Sequence, residues 1–386
     1  MSELKVGIVT KEWPPAVYGG AGVHVVQLTQ ALRRINGLSV DVHCFGGKRD
    51  DAFGYQTPTE FNDANPAVQA LVTDLEIASH MSNVDVVHSH TWYANMAGHI
   101  AALQYSIPHI VSAHSLEPLR PWKAEQLGTG YAISSWAEKT AFESAAAIIA
   151  VSDGMRADVL QAYPNLDPTI VVTIRNGVDT DKFAPNHDSS VAEKFSIVGP
   201  YAIFVGRITR QKGLAHLLRA WKEVPSEYGL VLAAGSPDEE GIGNEVAELI
   251  AELQKSRSNI WWIQEMLPHH ELAALLTGAE LFICPSIYEP LGIVNLEAMG
   301  CETAVLASRV GGIPEVVTHG ETGELVDYTG DAAAFERALT QSITVLMSQP
   351  QLLVKYGKAG RLRASAHFGW AAVAQATVDL YRRVIA

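Results

Sequence analysis

Residues 281–300 read LFICPSIYEPLGIVNLEAMG, and the order of signals in that stretch decides the fold. Leu281–Cys284 is an apolar run of strand length with no polar alternation, the pattern of a strand buried on both faces. Pro290 and Gly292 mark a turn, and Ile293–Met299 follows at the apolar density of a buried helix. A buried strand feeding a helix through a short turn is half of a βαβ unit.

The same sequence of events recurs on either side. Toward the C-terminus comes Ala304–Ala307; toward the N-terminus come Ile260–Ile263, Leu230–Ala233 and Ala202–Val205, with helical patterns between. Further back stand Val6–Val9, Val40–Cys44, Val84–His88, His109–Ala113, Ala147–Val151 and Ile170–Ile174, each read as a buried parallel strand. Val23–Ile35, Ala94–Tyr105, Tyr131–Phe142 and Gly154–Tyr163 read as the helices that separate them. The rhythm breaks at 184–200, where Pro185, Asn186, a serine pair and Gly199-Pro200 interrupt it. The expectation is therefore α/β, with two doubly wound domains in tandem: 1–184, a linker at 185–200, 201–365, and a last segment 366–386. Within that segment Trp370–Ile385 is amphipathic, with Ala374, Val378, Tyr381 and Ile385 on one stripe.

A chain of 386 residues is too long for one ordinary core and suits two α/β domains. Its net charge of −14 argues against a non-specific nucleic-acid binder, which needs a basic field. A small phosphate ligand needs only a few local cations and backbone N–H groups, so it stays open. Cys44, Cys284 and Cys301 stand apart and form neither a disulfide framework nor a zinc pattern, which points to a reducing, cytoplasmic setting. The N-terminus carries no secretory pattern, and no run is long enough to span a bilayer, so no membrane partner is expected.

Open α/β sheets bind ligands beyond the carboxyl ends of their strands, so functional residues are sought there. After the first strand, Gly19, Gly20 and Gly22 directly precede a helix. This is either a plain turn or a cradle that brings backbone N–H groups to an anion. After Val205, Arg207, Arg210 and Lys212 fall within six residues, as a solvated basic loop or as a phosphate grip. Glu289 precedes the helix of the opening stretch and Glu297 lies within it. They read as caps and surface charge, or as acceptors for sugar and ribose hydroxyls with phosphates at the helix N-terminus between them. His114 follows a strand and can donate to a substrate hydroxyl. His88 and His90 share a strand face, but with no third ligand to place beside them, no metal is expected.

These residues together resemble a family. The glycine-rich first loop, G-R-x-x-x-Q-K-G at 206–213 and E-x7-E at 289–297 resemble the GT-B retaining glycosyltransferases. KEWPPAVYGGAGVH, HSHTWYANMAGH and SAHSLEPLRPWKAEQ are more closely similar to the short actinobacterial glycogen synthase and maltose-1-phosphate synthase group, over nearly the whole chain. The resemblance implies two Rossmann-like domains facing across a cleft, the last helix crossing back to the first domain. It implies a nucleotide-diphosphate glucose donor, ADP-glucose or UDP-glucose, with no cofactor. Arg207 and Lys212 would bind the diphosphate, Glu289 the glucose hydroxyls, and Glu297 the ribose. Gly19, Gly20 and the N–H groups of Leu291 and Gly292 would add donor contacts, and His114 would lie by the anomeric carbon. His90, Trp92, Arg120 and Lys123 are the acceptor-side candidates; the last two, beside Trp122, read as a grip for an acceptor phosphate or as surface charges. The family's K-x-G-G lysine has no counterpart, because Lys11 lies eight residues before Gly19. An α-glucan is the expected acceptor, as in glycogen biosynthesis; glucose-1-phosphate is the alternative, and a non-catalytic nucleotide-sugar sensor a third reading. Oligomeric state is left open.

Overall fold

The computed structural model describes residues 3–120 and 127–386. The chain divides into two compact units, Met1–Asn176 with Trp370–Ala386, and Gly177–Gly369. The break falls at 176/177 rather than at 185–200. The interrupted stretch belongs to the second unit, where it includes the short helix Ser190–Lys194 and ties to Thr277 and His270 through Asn186.

In the first unit the strands are β1 (Leu4–Thr10), β2 (Leu38–Phe45), β3 (Phe53–Tyr55), β4 (Val86–His90), β5 (His109–Ala113), β6 (Ala147–Ala150) and β7 (Val171–Thr173). They form one parallel sheet in the order β3-β2-β1-β4-β5-β6-β7. β4, β5 and β6 are buried at every position, which is why they read as unbroken apolar runs. β4 runs two residues past the expected end and takes in Ser89 and His90. β3 escapes sequence reading, since three residues at a sheet edge carry no period. The helices are α1 (Gly20–Leu32), α2 (Pro66–Ser79), α3 (Trp92–Tyr105), α4 (Gly130–Ser144) and α5 (Asp153–Ala162).

The second unit has β8 (Tyr201–Val205), β9 (Gly229–Ala233), β10 (Ile260–Ile263), β11 (Leu281–Cys284), β12 (Ala304–Ser308) and β13 (Gly323–Val326), in the order β10-β9-β8-β11-β12-β13. After the short helix at 190–194, counted as α6, come α7 (Leu214–Trp221), α8 (Glu240–Ser256), α9 (His269–Gly278), α10 (Ile293–Gly300), α11 (Ile313–Val316), α12 (Ala332–Met347) and α13 (Pro350–His367). Its core joins Leu217, Leu218 and Trp221 to Leu230, Leu232, Ile283 and Leu306, with Phe335 and Leu339 closing it.

The final helix, α14 (Trp370–Ile385), returns to the first unit. Ala374, Val378 and Tyr381 bury there among Val25, Leu28 and Leu32, as the stripe requires. Ile385 does not join them and is 42% exposed, while Val373 and Leu380 take its place in the core. The three cysteines are free and buried. Among the described residues no helix is long and apolar enough to cross a membrane.

Candidate active site

Each sheet reverses strand order beside its first strand, at β1/β4 and at β8/β11. Loops leaving such a switch point diverge and open a crevice.

In the second unit these loops are 206–213 and 285–292. Ile287 N–H donates to the Gln211 carbonyl at 2.8 Å. Gly213 has φ +66°, and a Cβ there would stand 1.9 Å from the Pro285 carbonyl oxygen, so only glycine allows the two loops this approach. Lys212 Nζ meets Glu289 Oε2 at 2.6 Å, and Ser286 Oγ donates to the same oxygen at 3.1 Å. The Glu289 carbonyl accepts from Gly312 N–H at 3.0 Å, so this residue is fixed at both ends. Burial opposes the Lys212 charge, yet the Glu289 carboxylate outweighs it and raises the ammonium's pKa. Arg207 and Glu297 both lie within the electrostatic reach of Lys212. Burial pushes the Glu297 carboxyl up to about 8, and Lys212 only partly opposes that. The four residues expected at the donor therefore gather around one ammonium.

The two cations expected at the diphosphate are paired within the chain: Arg207 Nη1 with Asp238 Oδ2 at 2.5 Å, and Lys212 with Glu289. Asp238 and Ser286 went unnoticed in the sequence, although both follow strands and the strand-end rule applies to them equally. Gly292 opens α10 with φ +95°, leaving first-turn N–H groups without helical partners beside Leu291. A cavity of about 250 Å³ lies off the ends of β8–β10, lined by Ile208, Gly235, Pro237, Trp262 and Gln264 among others.

In the first unit the loop after β1 is organised by Glu12. Its Oε2 accepts from Tyr18 N–H at 2.9 Å and Gly19 N–H at 2.8 Å. A Cβ on Gly22 would stand 2.3 Å from that oxygen. So Gly19 and Gly22 serve the chain's own carboxylate, and the expected opening of Gly19 to a ligand is already filled. Gly20 differs, since a Cβ there meets nothing within 4 Å among the described residues. Gly20→Ala is expected to leave the melting temperature within about a degree or two, because alanine suits a helix start at least as well as glycine. Donor KM should rise severalfold if a ligand uses that space; an unchanged KM removes Gly20 from the site.

His114 follows β5 and is half-buried, while His90 ends β4 and is fully buried. His90 Nδ1 and His114 Nε2 are 3.0 Å apart and hydrogen-bonded. The α1 residue His24 packs on both, ring centres at 5.5 Å and 4.7 Å. Ring nitrogens of His24, His90 and His114 lie within 4.8 Å of one another, so the fold brings together what the sequence could not, a third imidazole beside His90. Thr91, between β4 and α3, holds φ +67°, a strained value for a β-branched residue and frequent where a site imposes its geometry.

Two acceptor-side candidates are displaced. His90 has no exposed surface, and its bond goes to His114, which puts it behind the site. Trp92 is 4% exposed, stacks on Tyr93 and packs with Ala67, Ala70 and Leu127 as core. Arg120 is partly buried and donates to Ser115 Oγ at 2.9 Å, while its Nε is buried without a partner among the described residues. Lys123 and Trp122 lie outside the described residues.

The strand-to-helix segment carrying Arg120 is anchored by two buried acids. Glu138 Oε1 accepts from Glu117 N–H at 2.8 Å and Tyr163 hydroxyl at 2.5 Å; Ser134 Oγ donates to Glu117 Oε2 at 2.6 Å. Burial first, then the Glu117 charge, pushes the Glu138 carboxyl from 4.5 up to about 8. A folded pKa above the unfolded one means that this contribution to stability is complete below about 4.5 and lost as pH rises through about 8. Glu138→Gln should flatten the fall of unfolding free energy between pH 5 and 8, each such group contributing up to ~1.4 kcal/mol per pH unit. Superimposable stability–pH curves for the two proteins would contradict it.

The description "Glycosyltransferase Family 4" matches residues 18–182 and "Glycosyl transferases group 1" matches 193–363. The alpha-maltose-1-phosphate synthase of Mycolicibacterium smegmatis is 49% identical over 99% of this chain and 100% of its own length. The glycogen synthase of Mycobacterium tuberculosis is 26% identical over 98% of this chain and 94% of its own. Among solved structures, the sucrose-phosphate synthase of Thermosynechococcus elongatus superposes with a TM-score of 0.83 at 24% identity, covering 99% of both chains. Fold and sequence together define a GT-B glycosyltransferase, an enzyme that takes its sugar from a nucleotide-sugar donor. The chain belongs to the glycosyltransferase family that contains the alpha-maltose-1-phosphate synthases.

Proposed function

We propose that this enzyme transfers glucose from a nucleotide-diphosphate glucose to α-glucose-1-phosphate, releasing the nucleoside diphosphate and forming α-maltose-1-phosphate. The observation that carries this is 49% identity over full length to proteins named for that product, against 26% to a glycogen synthase. Maltose-1-phosphate is a glucose joined to glucose-1-phosphate, so an enzyme making it from an activated glucose needs glucose-1-phosphate as acceptor. The glucan acceptor, first choice on sequence, gives way to this alternative.

Negative charge grows on the leaving diphosphate as the anomeric bond breaks. Arg207 and Lys212 meet that charge, aided by the α10 N-terminus at Gly292. Both cations arrive already oriented by Asp238 and Glu289, so little reorganisation remains for the transition state. Glu289 accepts from glucose hydroxyls, Glu297 engages the ribose, and Gly20 lets backbone approach the phosphates. The cavity walled by Trp262 is suited to the flat base. His114 meets a sugar hydroxyl, and Arg120 holds the acceptor phosphate. The leaving phosphate takes the acceptor's proton in a front-face attack that retains configuration.

Initial rates of nucleoside diphosphate release test this, with ADP-glucose or UDP-glucose against glucose-1-phosphate or glycogen. Release should be rapid only with glucose-1-phosphate. Arg120→Ala should raise the KM for glucose-1-phosphate ~10-fold or more, as expected for a lost charge-assisted contact, and leave donor KM unchanged. Faster release with glycogen would overturn the acceptor assignment.

A further inference from the structure

Behind His114 runs a buried set of side chains with no part in the roles above. Tyr381, on the returning helix α14, is completely buried, and its hydroxyl lies 2.7 Å from His88 Nδ1. His88 Nε2 lies 2.8 Å from Ser112 Oγ. The His88 ring packs on that of His90 at 4.2 Å between centres, tilted by 35°. His90 Nδ1 then reaches His114 Nε2 at 3.0 Å. Nothing in a packing role requires five polar side chains from β4, β5, its following loop and a helix 293 residues from His88 to meet this way.

We propose that Tyr381, His88 and His90 are positioning residues for His114: the first two hold the His90 ring in place, and His90 fixes His114 in the tautomer with its proton on Nδ1.

Burial raises the Tyr381 hydroxyl's pKa and lowers those of the three imidazoles, so the phenol is protonated and the rings are neutral. A neutral imidazole has one N–H and one bare nitrogen. If His88 carried its proton on Nδ1, the Tyr381 O–H would have no acceptor in a fully buried place. The phenol therefore donates to Nδ1, and His88 Nε2–H donates to Ser112 Oγ. The ring is held from both edges, and its face sets the plane of His90. Among the described residues His90 Nε2 is buried with no partner. A proton there would be an orphaned buried N–H, which folded proteins rarely tolerate. The proton sits on Nδ1 instead and is donated to His114 Nε2. His114, with its Nε2 accepting, keeps its own proton on Nδ1 and presents a donor to oxygen.

That a sugar oxygen receives this proton rests on the proposed function; the tautomer does not. The two are separable by experiment. Long-range ¹H–¹⁵N spectra of histidine-labelled, substrate-free protein should report Nε2–H for His88, Nδ1–H for His90 and Nδ1–H for His114. A proton on His114 Nε2 would overturn the proposal whatever the substrate is. Tyr381→Phe keeps the ring and removes only the donor. It should shift the His88 and His90 nitrogen signals and lower kcat roughly 10-fold with both KM values unchanged, since a catalytic group held in a looser orientation loses rate more than binding. Should that variant be unstable, Ser112→Ala reads the same relay from the other edge of His88. Unmoved nitrogen signals and full kcat in a folded variant would contradict the relay.

Discussion

Lys212→Ala should lower kcat/KM by about 10²–10³, the ~2.7–4 kcal/mol typical of losing one preorganised group that faces developing charge. Lys212 is the hub of its unit's site, paired with Glu289 and within reach of Arg207 and Glu297. Its removal also strands a carboxylate that is only 7% exposed. Leaving one member of a buried pair alone destabilises by a few kcal/mol, so the variant's melting temperature should fall as well. Kinetics must therefore be read well below that temperature. Arg207→Ala separates the two effects. Its partner Asp238 is less buried, so stability should hold while kcat/KM drops by about 10²-fold. Near-normal kcat/KM in both variants would defeat the diphosphate assignment.

Gly213→Ala carries the next largest effect, through backbone rather than charge. Alanine at φ +66° costs about 1–2 kcal/mol. Its Cβ would also stand 1.9 Å from the Pro285 carbonyl, forcing apart the two loops that align Lys212 with Glu289. Overpacking of that kind adds about 1–3 kcal/mol, and the loss of alignment should reduce turnover in proportion. Gly320→Ala is the matched control, because φ is +77° there but a Cβ meets nothing. Denaturant melts should show the first variant clearly less stable than the second. Equal losses would mean that the loops yield and the close approach has no function.

Much of this was legible in the sequence because burial leaves a mark there. A parallel strand covered on both faces loses its polar alternation, so Leu281–Cys284 and Ala147–Ala150 announce themselves. β3 and β13 do not, the first too short and the second interrupted by Glu324. Arg207, Lys212, Glu289 and Glu297 could be singled out because strand ends and cation spacing are local properties. Their partners were not. Asp238 follows a different strand, and no residue near Lys212 in sequence says that Glu289 neutralises it. The histidine cluster failed for the same reason, since His24, His90 and His114 come from a helix and two strand ends that only sheet order brings together. Trp92 misled because a tryptophan after a strand end looks like a sugar platform until its burial is known. The domain boundary misled because Pro185 and Gly199-Pro200 mark turns equally well inside a domain.

Which sugar accepts the glucose can be observed directly. Purified enzyme, nucleotide-diphosphate glucose and glucose-1-phosphate are followed together by ³¹P and ¹H NMR. A phosphate monoester of an α-1,4-linked disaccharide should grow in, its own anomeric phosphate intact, one molecule for each nucleoside diphosphate released. Nucleoside diphosphate accumulating with free glucose or a lengthening glucan, and no phosphorylated disaccharide, would contradict the account.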